Sequence, residues 1–82
     1  MRSIRENIET ILAMPHPKPT GRNKGKMSKW YIAVVIKRQA IMIDKYLDGE
    51  VKQPDDEVCR AIYKEWGLVT FPMTEKELED DQ

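Results

Sequence analysis

Trp30-Tyr31-Ile32-Ala33-Val34-Val35-Ile36 is the longest unbroken apolar run in the chain, and it constrains the fold more than any other feature. A segment that is apolar all round has to be covered on every side. Seven residues fall far short of the roughly 20 needed to cross a bilayer, so the cover has to come from protein, and no membrane partner is expected. Ile32, Val34, Val35 and Ile36 are β-branched, and periodicity alone fits a buried strand as well as a buried helix. No second segment reads as a strand that could pair with it. A buried helix is therefore the expectation.

The flanking segments are helical by pattern. Ser3-Ile4-Arg5-Glu6 has the form of a capping box, and Ile4, Ile8, Ile11 and Leu12 follow on one face. Pro15 stops that helix at about Met14, because proline disfavours helical geometry in the residue before it. Residues 15–28 hold Pro15, Pro17, Pro19, Gly21 and Gly25 and carry only positive charge. They predict a flexible basic loop with nothing to contribute to a packed core. Ala40, Ile43, Tyr46 and Leu47 share a face, with Gly49 suited to a helix end. Pro54-Asp55-Asp56-Glu57 is a strong helix start, pairing proline with acids set against the positive end of the helix dipole. Val58, Ala61, Ile62 and Trp66 form its apolar stripe, and Gly67-Leu68 fits a Schellman stop. Thr74 to Glu79 predicts a short capped turn before the acidic end, Glu79-Asp80-Asp81. Trp30 and Trp66 are read as core residues. The expected class is an all-α helical bundle of four to five helices. It forms one domain: an N-terminal helix (1–14), the basic loop (15–28), a helical core (29–73) and an acidic tail (74–82).

A chain of 82 residues forms a single small domain. Such a domain buries about 60–65% of its unfolded surface, so homodimerisation is a natural way to gain stability. The single cysteine, Cys59, excludes an internal disulfide framework and points to a reducing cytoplasm. Met1 leads directly into a charged helix pattern, so no signal peptide is expected. Net charge is zero, yet residues 1–52 carry 11 Lys/Arg against 5 Asp/Glu, and residues 53–82 carry 3 against 9. A basic half and an acidic half suggest a nucleic-acid face beside an acidic tail; the alternative is a dipolar surface of no functional meaning.

No catalytic or metal chemistry is expected, and no cofactor or small-molecule substrate. His16 is the only histidine and lies among prolines. With Cys59 it cannot supply the four ligands of a zinc site. Cys59 falls on the apolar side of its helix, next to Val58 and Ile62, and reads as core. Gly-Arg-Asn-Lys-Gly at residues 21–25 is too short for a phosphate-binding loop and lacks the Lys-Ser/Thr ending.

Two segments carry a family resemblance. Ile32-Ala33-Val34-Val35-Ile36-Lys37-Arg38-Gln39-Ala40-Ile41-Met42-Ile43-Asp44-Lys45-Tyr46-Leu47-Asp48-Gly49 resembles the helix-turn-helix of Cro and phage-repressor-like proteins. Ile32, Ala33, Ile36, Ile43, Tyr46, Leu47 and Gly49 occupy that family's apolar, small and glycine positions. Lys52 to Leu68 is similar to the helix that follows the motif there, with Pro54, the acidic-apolar pair Glu57-Val58, Ile62 and the Gly67-Leu68 ending. In this frame Ala33 is small where helices cross closely, Ile36 and Ile43 pack the inner faces, and Tyr46-Leu47 docks on the following helix. The chain departs from the family at the turn, where Lys37 replaces the usual glycine and Arg38 an apolar residue. Val34 and Val35 stand where polar residues are usual, giving the first helix extra surface to bury. One continuous helix over residues 28–47 is the alternative reading.

The resemblance implies a sequence-specific transcriptional regulator of phage or mobile-element type, binding double-stranded DNA as a homodimer on a palindromic operator. It implies a recognition face of Gln39, Ala40, Ile41, Met42, Asp44 and Lys45. Gln39 and Lys45 are suited to phosphate or base contacts, and Ala40 and Ile41 only to thymine methyls. Arg38 and Lys52 are the expected phosphate anchors. Lys18, Arg22, Lys24 and Lys26 form a basic arm able to track phosphates or enter a minor groove, or else an ordinary solvated loop. Because the recognition face is half apolar, a second class stays open: a protein-binding module on the same scaffold, such as a small inhibitor of a host protein.

Overall fold

A computed structural model describes residues 2–22 and 24–80. Five helices follow one another: α1 (Ile4–Leu12), α2 (Lys29–Ile36), α3 (Ala40–Leu47), α4 (Asp56–Trp66) and α5 (Glu75–Glu79). Among the described residues there is no strand, only two isolated bridges, Arg2 to Thr70 and Pro15 to Lys26. The class is all-α, as expected. Asp81, part of the expected acidic end, lies outside the described residues.

Both capping boxes form where the sequence places them. The Ser3 hydroxyl accepts from the Glu6 amide at 3.1 Å, and the Glu6 carboxylate accepts from the Ser3 amide at 3.3 Å. Those bonds to Ser3 hold the Glu6 carboxyl below its ordinary pKa. Thr74 and Glu77 repeat the arrangement at the start of α5. α1 ends at Leu12, two residues before the expected limit, and the Met14 amide closes a final turn on the Ile11 carbonyl.

Residues 28–47 form two helices. α2 ends in a Schellman motif: the Lys37 amide donates to the Val34 carbonyl at 3.2 Å, and the Arg38 amide to the Ala33 carbonyl at 3.0 Å. Lys37 lies in the left-handed region at φ 57°, the conformation for which glycine is the usual choice. α3 stops in the same way, with Gly49 at φ 78°, its amide on Tyr46 and the Glu50 amide on Lys45. At the end of α4 the Gly67 amide donates to the Tyr63 carbonyl at 2.8 Å. That one 5→1 bond is the simpler left-handed cap, replacing the Schellman stop expected from Gly67-Leu68.

The core gathers Ile4, Ile8 and Ile11 from α1, Ile32, Ala33 and Ile36 from α2, Ile43 and Tyr46 from α3, and Val58 and Ile62 from α4. α2 packs against α3 and α4, and α1 packs on α3. α3 thus docks chiefly on α1 and α2; towards the following helix, Tyr46 shares this cluster with Val58 and Ile62, and half-buried Leu47 packs against it. Met27 is also buried in it, so the loop does contribute to the core, contrary to expectation. The loop is closed at its base by the Pro15–Lys26 bridge and by the His16 amide on the Gly25 carbonyl at 2.8 Å.

A second, smaller cluster holds Cys59 of α4, Met73 and Leu78 of α5. The acidic segment is therefore docked on the domain through Leu78. Asn7 ties α1 to the chain before α5, donating to the Val69 carbonyl at 3.0 Å and the Thr70 hydroxyl at 2.8 Å.

Candidate nucleic-acid interface

The turn at Lys37-Arg38-Gln39 decides what α3 presents. The left-handed Lys37 ends α2, and Gln39 then returns to extended backbone as the residue capping α3. Only Ile43 and Tyr46 of α3 are fully buried. Gln39, Ala40, Ile41 and Asp44 face solvent, as the recognition face requires. Met42 and Lys45 do so only in part: both are half-buried, and Met42 packs against the core. The Gln39 side chain is exposed and makes no capping hydrogen bond.

The charged side chains divide into engaged and unengaged groups. Arg38, one of the expected anchors, donates to the Asp55 carboxylate at 3.0 Å and lies 3.5 Å from Glu57. That bond to Asp55 pushes its pKa above the ordinary guanidinium value. Asp44 pairs with Lys29 at 2.7 Å, which neutralises the one carboxylate on the exposed face of α3. Lys45 and Lys52 have no ion-pair partner among the described residues. Lys18, Arg22, Lys24 and Lys26 are all exposed on the closed loop. His16 packs its ring on Tyr31 of α2 at 4.7 Å, so the base of this loop is held against the start of α2.

Trp30 is the clearest correction to the sequence reading. It is 69% exposed, and Val34 one turn later is 52% exposed. The reason is angular. At 100° per residue, Ile32, Ala33 and Ile36 form the buried stripe, and Trp30 and Val34 lie about 160° and 200° around the helix from Ile32. The extra apolar surface of α2 is therefore not all covered, although Val35 is half-buried and Trp66 packs against the core as expected. Ile41 on α3 is also exposed, at 57%. The signal for Trp30 was present in the chain, since i and i+4 on the far side of a buried stripe is a solvent-facing pair.

Cys59 is fully buried, and burial pushes its thiol up to about 11, the reverse of what a nucleophile needs. No group of three or more His, Cys, Asp or Glu side chains that could hold a metal occurs among the described residues. Among the described residues no helix is long and apolar enough to cross a membrane. No protein-family model matches the chain, and no curated protein or solved structure matches it either.

Proposed function

We propose that this protein is a sequence-specific DNA-binding regulator that places α3 in the major groove and works as a homodimer. The observation that carries this reading is the uncommitted start of α3. The exposed Gln39 side chain makes no capping hydrogen bond, Ala40 and Ile41 stand exposed beside it, and the Asp44 charge is answered by Lys29. A small, flat helix start with an amide at its edge fits base edges and thymine methyls. Lys45, Lys52 and the exposed loop cations supply phosphate contacts.

Selection of bound fragments from a random duplex pool, repeated at two salt concentrations, tests it. A palindromic sequence should be enriched, and affinity should fall steeply with salt. Absence of enrichment, together with unchanged binding in Gln39→Ala and Lys45→Ala, overturns the reading.

The exposure of Trp30, Val34 and Ile41 favours a second reading, a protein-binding module, because exposed apolar side chains mark interfaces more often than grooves of DNA. Under that reading Trp30→Ala abolishes capture of the partner and leaves duplex binding at its nonspecific level.

A further inference from the structure

We propose that the cleft between the C-terminal half of α2 and α4 binds a small organic anion with an aromatic or branched apolar body. The cleft is open to solvent on one side and has a volume of about 550 Å³, within the range of small-molecule sites. Its floor is Val35, Ile36 and Ala61. Val35 and Ala61 are only half-buried, so apolar surface remains for a ligand to cover.

The rim mixes charges, but their commitments differ. Of its two carboxylates, Glu57 approaches the Arg38 guanidinium at 3.5 Å, and Glu65 accepts from the Tyr31 hydroxyl at 3.4 Å. Glu57 is thus answered by a cation outside the cleft, whereas Glu65 keeps its charge, since a hydroxyl donor does not neutralise a carboxylate. Of its three cations, Lys37, Arg60 and Lys64, the two lysines have no carboxylate within 4.0 Å among the described residues. The Schellman bonds fix the backbone at Lys37, so that ammonium hangs from a defined point at one end of α2. With three cations against two carboxylates, one of which Arg38 already answers, the rim favours an amphipathic anion over a cation. No residue of α3 lines the cleft, so the site is separate from the proposed DNA face and independent of that reading. A ligand there touches both α2 and α4 and favours the folded state by mass action.

The probe is 8-anilinonaphthalene-1-sulfonate, titrated into the full chain and followed by amide chemical shifts and fluorescence. The expected result is a set of shifts centred on residues 35–37 and 60–65. Lys64→Gln and Lys37→Asn should each weaken binding roughly three- to tenfold, where tenfold corresponds to about 1.4 kcal/mol. Asparagine is chosen at residue 37 because it tolerates the left-handed backbone. Lys76→Gln, which lies outside the lining, should leave binding of the probe unchanged, and the uncharged analogue N-phenyl-1-naphthylamine should bind at least as weakly as the two variants. Shifts centred on Trp30, Val34 and Ile41, equal binding of the neutral analogue, unchanged affinity in both variants, or no binding at all would each overturn the proposal.

Discussion

The Arg38 guanidinium donates to the Asp55 carboxylate at 3.0 Å and so fastens the turn after α2 to the residue that begins α4. Arg38 lies within that turn and reads from sequence as a phosphate anchor, yet its charge is already answered inside the chain. Lys45 and Lys52 carry the same formal charge without that commitment.

The difference yields a salt-dependence prediction. Each phosphate contact that is removed lowers the slope of log affinity against log salt by about one. Lys45→Ala and Lys52→Ala should each do so in duplex binding, whereas Arg38→Ala should leave the slope unchanged. Fluorescence anisotropy with the selected duplex at several salt concentrations measures it. A reduced slope in Arg38→Ala would mean that the guanidinium leaves Asp55 to meet DNA.

Lys37 gives a stability prediction with a definite sign. A non-glycine residue in the left-handed region costs roughly 1–2 kcal/mol, and glycine's greater unfolded-state entropy offsets part of the gain from replacing it. Lys37→Gly should therefore stabilise the fold by about 0.5–1 kcal/mol, read from the urea midpoint at constant slope. Lys37→Val should destabilise it, because a β-branched residue is worse still at φ 57°.

Cys59 gives a pH prediction. Burial raises its thiol from the ordinary value of 9.0 to about 11 in the folded chain. The unfolded chain then loses that proton first as pH rises, so the contribution to stability is complete below pH 9 and disappears towards pH 11. The loss amounts to roughly 2–3 kcal/mol at pH 11. Tyr31, Tyr46 and Tyr63, also raised by burial first, act in the same direction at higher pH. Urea titrations at pH 8 and pH 10.5 should show a smaller fall in Cys59→Ala than in the parent chain. Equal falls would assign the whole effect to the tyrosines.

What the sequence made legible was local. Ser3 and Glu6, or Thr74 and Glu77, satisfy each other across one helical turn, so their pattern contains the whole of their physics. The same holds for Gly49, where the helix stop needs only a residue at ease with positive φ. The break at Lys37 was harder to see, since only the packing of Ile36 and Ile43 into one core forces a lysine into that conformation. The docking of α5 through Cys59, Met73 and Leu78, and the Asn7–Thr70 bond across 63 positions, join distant segments that no local window holds together. At the candidate interface, helical spacing put Ala40 on the buried face although it is exposed, and the exposed residues of α3 followed from the family resemblance alone. The partners of Arg38 and Asp44 did not, because Asp55 and Lys29 lie 17 and 15 positions away.

Ile41 and Ile43 are two positions apart in α3 and should respond in opposite ways. Ile43 is fully buried, and truncating such a residue removes transfer energy and leaves a cavity. Ile43→Ala should cost about 2–5 kcal/mol, a large share of the stability of a domain this size, and should visibly lower its melting temperature. Ile41 is 57% exposed, so Ile41→Ala should stay within about 0.5 kcal/mol of the parent chain. That freedom makes Ile41 the residue that separates the two functional readings. Ile41→Lys adds a cation beside Gln39 without disturbing the core. If α3 faces DNA, the salt slope steepens by about one and nonspecific duplex affinity rises. If α3 faces a protein through its apolar side chains, duplex binding stays at its nonspecific level and partner capture falls, as it does in Trp30→Ala.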